Sequence, residues 1–329
     1  MRRATVLACF LSLAFTAVAQ QQQQRHFFFH YAFSVRNVPA HEKVELWFPA
    51  AQSGDFQAVK LVSTSGDLKL ARRRERKYTD AMFHAVAGRS TKSEYHFAVT
   101  YEVLRRERIG LPHGAEPKPR LQTISARERQ QFLAPDALVP VTGKLAELAA
   151  QQAQGAGGTL PRARALYDYV FRSMRYDKSG TGWGRGDAEW ACDSHRGNCT
   201  DFHSLFISMA RSEQIPARFE IGFQVPADKS SGQIAGYHCW ADFYDAPYGW
   251  IPVDISEAWQ HPEKKDYFFG ALDADRIQFS LGRDLRLNPP QAGTPVNYFV
   301  YPYVEVNGKP WKDVATDFSF SDVGMVAVK

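Results

Sequence analysis

No stretch beyond the first twenty residues of this 329-residue chain reaches the 18 or more apolar residues a membrane-spanning helix needs. No integral membrane segment is therefore expected. Charge of one sign is also missing. Forty Lys and Arg stand against 35 Asp and Glu, a net +5, which gives no strong polyanion-binding surface and argues against nucleic acid as a partner. No internal repeat is present. Cysteine is scarce, at four residues. What remains is 44% hydrophobic and 23% charged, a balance that excludes disorder, collagen and coiled coil and leaves room for two domains.

The start of the chain reads as a secretory signal. Met1-Arg2-Arg3 is a short positive region, Ala4 to Phe15 is apolar but too short to span a bilayer, and Ala17-Val18-Ala19 is an A-x-A cleavage site. Residues 1–19 are assigned to this signal peptide, and the mature chain is expected in the periplasm or outside the cell. Cys9 leaves with the signal, so Cys192, Cys199 and Cys239 remain. An odd count in an oxidising compartment predicts one disulfide and one free, reactive thiol.

After Gln20–Gln24, short β-type runs follow at turn-punctuated intervals, among them Phe27–Phe33, Lys43–Phe48 and Tyr95–Val103. They predict an antiparallel β-sandwich over residues 20–120. The basic cluster Arg72–Lys77 reads as a solvated edge or loop. Pro, Gly and charge between Ile109 and Arg120 mark a linker. Beyond it the period changes from strand to helix. Ser125-Ala126-Arg127-Glu128 has capping-box spacing and opens a helix to Phe132. A second helix runs from Gly143 to Gln154. A third starts at Pro161 with Ala165, Leu166, Tyr169, Val170 and Met174 at helical intervals. Residues 121–329 are assigned to a second domain.

Chemistry concentrates near residue 199. Gly197-Asn198-Cys199-Thr200-Asp201 leads into Phe202, Leu205, Phe206, Met209 and Ala210, an apolar stripe at helical spacing. Cys199 is thus placed at a helix N-terminus, where unpaired N–H groups and the dipole favour the thiolate. A nucleophilic cysteine needs a base, and the base needs an orienting group. Tyr237–Tyr244 and Trp250–Asp254 read as strands joined by a turn at Ala246–Gly249. If the hairpin is symmetric about Ala246, His238 lies directly opposite Asp254, close enough for a carboxylate to hold an imidazole. The pleat sends Cys239, Ala241 and Phe243 to the core and His238 to the other face. Cys192, His195, Cys199 and His203 offer a competing C-x2-H-x3-C-x3-H zinc pattern. Four ligands within twelve residues at a loop-to-helix junction is an unfavourable arrangement, and no metal is assigned.

The order Gly-Asn-Cys-Thr-Asp, Ile215-Pro216-Ala217-Arg218 leading to Gly222, Tyr237-His238-Cys239-Trp240 and Gly249-Trp250-Ile251-Pro252-Val253-Asp254 resembles the transglutaminase-like superfamily of papain-fold proteins. The resemblance spans Pro161 to Glu257. It implies an α+β fold, a papain-like transglutaminase core with the nucleophile helix on an antiparallel sheet, preceded by the β-sandwich. It also implies Cys199 as nucleophile, His238 as general base, Asp254 as the orienting acid, and acyl transfer at amide bonds through a thioester. Family members stabilise the oxyanion partly with an aromatic side chain upstream of the cysteine, for which Trp183 and Trp190 are the local candidates. His203 and Trp240 are added as cleft residues. With Cys199 taken as the free thiol, Cys192 and Cys239 become the expected disulfide pair. Nothing resembles a calcium loop, and no cofactor is expected. The expected partner is a peptide or protein substrate in the cell envelope. A non-enzymatic alternative is a binding or scaffolding module that keeps the fold without using the triad. The aromatic runs Asp266–Gly270 and Asn297–Val306 are expected to complete the sheet of the second domain.

Overall fold

The computed structural model describes residues 22–111 and 123–324. The signal assignment, most of the linker and the boundary near residue 120 lie outside the described residues. The fold is mixed α+β, with six α-helices and mostly antiparallel sheets among the described residues.

Two five-stranded sheets form the sandwich. In the first, the spatial order is Ser231–Gln233, Val314–Asp322, Gln24–Val35, Tyr95–Arg106, Gln57–Gly66. In the second it is Lys309–Pro310, Tyr303–Val306, Val44–Pro49, Ala81–Ala87, Ala71–Arg74. Strict alternation sends Phe27, Phe29, Tyr31, Phe33 and Val35 inward from one strand, as a period of two requires. Their rings meet those of the facing sheet, with Phe33 and Phe48 at 5.0 Å between centroids and Tyr31 and Phe48 at 5.9 Å. Ala71–Arg74 is an edge strand with its three arginines exposed, which places part of the basic cluster where charge blocks edge-to-edge pairing.

The C-terminal strands correct one expectation. Tyr303–Val306 pairs with Val44–Pro49, and Val314–Asp322 pairs with Gln24–Val35. Both ends of the chain therefore build the sandwich, and neither strand joins the second sheet system. Asp266–Gly270 is turn rather than strand, meeting the neighbouring sheet through a bridge from Phe269 to Val253 and the stacking of Phe269 on Phe243.

The second unit has a four-stranded antiparallel sheet, ordered Gly249–Val253, His238–Asp245, Ala217–Gln224, Arg276–Leu281. Helix Cys199–Ser212 packs on it, with helices Lys144–Ala153, Thr159–Ser173 and Ala188–Ser194 against the helix from other sides. Every residue of that helix from Cys199 to Arg211 is buried. Burying Phe202, Leu205, Phe206, Ile207 and Met209 stabilises the fold by roughly 1.5–3 kcal/mol each. Its polar members are held in turn: Arg211 donates to Asp136 at 2.7 Å and to the carbonyl of Ala217 at 3.0 Å.

The opposite face of the sheet rests on the sandwich. Phe223 lies 5.1 Å from Phe29 and 4.6 Å from Phe318, and Phe279 5.6 Å from Tyr31. One hydrophobic core therefore runs through both units. Gly222 marks a bulge against Arg276–Leu281. A Cβ there would stand 1.9 Å from the Ile277 carbonyl oxygen, so only glycine permits the approach.

Candidate active site

The helix carrying Cys199 begins with a reciprocal cap. The Asn198 side chain accepts from the Thr200 N–H at 2.9 Å, and Asp201 accepts from the Asn198 N–H at 2.9 Å. Gly197 makes room for this, with φ at +150° and Asp201 Oδ2 only 2.3 Å from where a Cβ would sit. Asp201 also accepts from the N–H groups of Gly184 at 2.7 Å and Gly186 at 3.0 Å, which ties the glycine-rich segment 180–186 to the helix start. Burial pushes the Asp201 carboxyl up to about 6 despite these donors. The Asn198-x-x-Asp201 spacing was a readable signal for this role.

The hairpin is centred one residue later than its sequence suggests. Asp245 pairs with Gly249 and Ala241 with Val253, which sets Asp254 level with Trp240 rather than His238. A centre displaced by one residue moves each partner by two, and two is the pleat period, so both side chains stay on one face. They meet diagonally, with His238 Nε2 2.7 Å from Asp254 Oδ2. Asp254 also receives Arg276 Nη1 at 3.0 Å on Oδ2, and on Oδ1 the Ser256 hydroxyl and the Glu257 N–H, both at 3.1 Å. Burial opposes its charge. His238 and Arg276 overcome that and hold the carboxyl far below the usual range.

With Nε2 committed to Asp254, the other ring nitrogen of His238 is left for Cys199, and each of the two side chains favours the charged form of the other. Burial disfavours both charged forms. For Cys199 it is outweighed by hydrogen bonds from Cys239 and His238 and by the His238 charge, so the thiol is driven well below its ordinary value. For His238 it is outweighed by Asp254 and Cys199, so the imidazole is driven well above. The resulting state is a thiolate–imidazolium ion pair backed by a carboxylate. His238 reaches a cleft of about 340 Å³ lined by Tyr176, Lys178, Tyr237, Glu257 and Gln260.

The remaining sequence candidates fall elsewhere. His203 is fully buried behind the helix start, not in the cleft. Its Nε2 accepts from the Ile255 N–H at 3.0 Å, and its Nδ1 lies 3.7 Å from Cys239 Sγ. Trp240 is also fully buried: it donates to Glu220 at 2.6 Å and lies beneath the Arg276 guanidinium at 5.1 Å. Trp183 donates to the Gly180 carbonyl at 3.2 Å within its own loop. Trp190 packs against Gly182 and under Arg196. Cys192 and Cys239 are both free, so the expected disulfide is not formed. Cys239 faces the helix of Cys199, 3.8 Å from the Thr200 hydroxyl, while Cys192 sits half-buried on helix Ala188–Ser194. The four residues of the zinc pattern form no metal-holding group among the described residues.

Sequence reasoning missed two participants. Tyr237 contacts Asn198 Nδ2 at 3.0 Å and the Thr200 hydroxyl at 2.7 Å through its own hydroxyl, and burial keeps it a neutral phenol. Nothing in its position beside His238 marked it. Arg276 stands 22 residues beyond Asp254, outside every motif.

Residues 146–255 match the transglutaminase-like superfamily. An uncharacterised protein of Haemophilus influenzae is 27% identical over 305 residues, covering 82% of each chain. The crystal structure of a candidate cysteine protease from Cytophaga hutchinsonii is similar in fold, with a TM-score of 0.58 and 14% identity over 92% of each chain. No helix among the described residues is long and apolar enough to cross a membrane.

Proposed function

We propose that this chain, whose residues 146–255 match the transglutaminase-like superfamily, is an exported cysteine-dependent acyl-transfer enzyme acting on amide bonds of peptides or proteins in the cell envelope. The observation that carries this reading is the ion pair. Cys199 is held as a thiolate and His238 as an imidazolium by a carboxylate 2.7 Å away, a charge arrangement that packing alone does not call for.

The reaction follows from these protonation states. The Cys199 thiolate attacks the amide carbonyl carbon, and the carbonyl electrons move to oxygen. The backbone N–H at the helix start stabilises that oxyanion. His238 then gives its proton to the departing amine, the C–N bond breaks, and a thioester remains on Cys199. Neutral His238 next takes a proton from water or an incoming amine as it attacks the thioester, and the C–S bond then breaks to return the Cys199 thiolate beside the imidazolium. Water gives hydrolysis and an amine gives transamidation. Asp254, anchored by Arg276, keeps the imidazole oriented and stabilises its charge through both steps. Export rests on the sequence of residues 1–19 alone.

The test is the pH dependence of alkylation at Cys199 by iodoacetamide, read by mass spectrometry in wild type and His238→Ala. Rapid labelling at pH 6 that disappears in the variant supports the enzyme. Slow labelling with an ordinary thiol profile in both supports the binding-module alternative.

A further inference from the structure

Between the sandwich and the second sheet lies a cavity of about 120 Å³, bounded by Phe56, Gln57, Arg105, Arg108, Arg218 and Glu220. That is several times the roughly 30 Å³ a water occupies in the liquid. Two of its walls present buried donors with nothing to bind. Arg105 Nε and Arg108 Nε have no hydrogen-bond partner among the described residues, although Arg105 is 2% exposed and Arg108 4%.

Arg105 takes no part in the ion pairs around the cavity. Arg108 binds Asp242 through two nitrogens, at 3.0 and 2.9 Å, and Arg218 binds Asp242 at 2.7 Å and Glu220 at 3.1 Å. Two carboxylates thus serve two guanidiniums. Arg105 is left over, with only the neutral Gln57 side chain at 3.3 Å. Burial, and then the charge of Arg276, lower its affinity for its own proton to about 9. Arg276 is satisfied by Asp254 and Asp273. Asp55 lines the cavity as an exposed residue and does not pair with Arg105. A guanidinium almost never sits buried without an anion.

We propose that this cavity is a binding site for a small oxyanion, a phosphate, sulfate or carboxylate group, received by Arg105 with help from the free N–H of Arg108. The planar fork of Arg105 suits two oxygens of one such group. The site lies on the sandwich-facing side of the sheet, away from Cys199 on the helix side. It is independent of the reaction proposed above.

The experiment is calorimetric titration of the full chain with inorganic phosphate, sulfate and acetate in turn, at constant ionic strength set with sodium chloride. Wild type is expected to bind one anion saturably, Arg105→Gln to bind about tenfold more weakly or worse, and Arg105→Lys to fall between, because it keeps the charge but loses the fork. Circular dichroism checks that each variant folds. If Arg105→Gln does not, the comparison of wild type with Arg105→Lys carries the test. Binding of phosphate and sulfate alone assigns a tetrahedral oxyanion, and binding of acetate as well assigns a carboxylate. Absence of saturable binding by all three, or equal affinity in wild type and variants, overturns the proposal.

Discussion

Two buried histidines flank one carboxylate and reach opposite states. His238 approaches Asp254 Oδ2 at 2.7 Å, and His203 approaches Oδ1 at 3.6 Å. Both are desolvated, and both feel the same negative charge. His238 is nevertheless held protonated, while burial keeps His203 below its ordinary value and neutral. The difference lies in what each Nε2 touches. On His238 it donates to the carboxylate. On His203 it accepts from the Ile255 N–H, so protonating that nitrogen would forfeit a buried hydrogen bond. Hydrogen-bond polarity separates the histidine proposed for proton transfer from the one that fixes the backbone after Asp254.

Removing the charged histidine should have the largest effect. In His238→Ala the Cys199 thiol returns towards the roughly 8.5 of a free cysteine, its alkylation rate at pH 6 is expected to fall about 100-fold or more, and the acylation rate about 10⁶-fold. Asp254→Asn should come next. It leaves His238 without its ionic partner and is expected to lower the acylation rate roughly 10⁴-fold, while removing one of the two carboxylates that hold Arg276 and costing about 3 kcal/mol of stability by denaturant unfolding.

The pH response separates the two histidines. The folded pKa of His238 is raised, so its stabilising contribution is complete below its unfolded value near ~6.5 and is lost as pH rises through the raised value. That of Cys199 is depressed, so its contribution is complete above ~8.5 and is lost as pH falls through the lowered value. The ion pair is populated between those two folded values, and kcat/KM should be bell-shaped with its plateau there. His203 has a lowered pKa, so stability falls as pH drops below ~6.5 towards that lowered value. In an NMR titration from pH 8 to pH 6, His203 should stay neutral and His238 protonated. Two matching titration curves would remove the distinction. The smallest effect is expected for Ser256→Ala, which deletes one of the two donors to Asp254 Oδ1. It should cost about 1 kcal/mol in unfolding and leave the alkylation profile in place.

Local chemistry made much of this legible in the sequence. Ser125 caps helix Ala126–Leu133 by accepting from the Glu128 N–H at 3.1 Å, and Asn198 caps the helix of Cys199, because capping residues act within one turn. The face shared by His238 and Asp254 was legible from parity. Their register was not, since the three-residue turn closed by Gly249 at φ +77° differs by a single residue from the turn read there. The destination of Tyr303–Val306 was hidden because an aromatic alternating strand fits any half-buried sheet edge. The roles of Arg276, Arg105 and His203 were hidden for a related reason. A charged side chain in a sequence looks solvated until a distant segment is folded over it.

The strand ladder that joins Phe27 to Asp322 and Val35 to Val314 has a temporal meaning. The second strand is made after every residue of the sheet and helices that hold Cys199 and His238. Until it arrives, Gln24–Val35 is an open edge carrying a row of large aromatics. The sandwich face on which Phe223 and Phe279 rest is then incomplete. Loop closure across so long a separation is slow, so completion of the support beneath Cys199 and His238 waits on Val314–Asp322. A chain stopped before Val314 would expose an aromatic edge suited to pairing with its own copies, and would aggregate rather than persist as a partly active fragment.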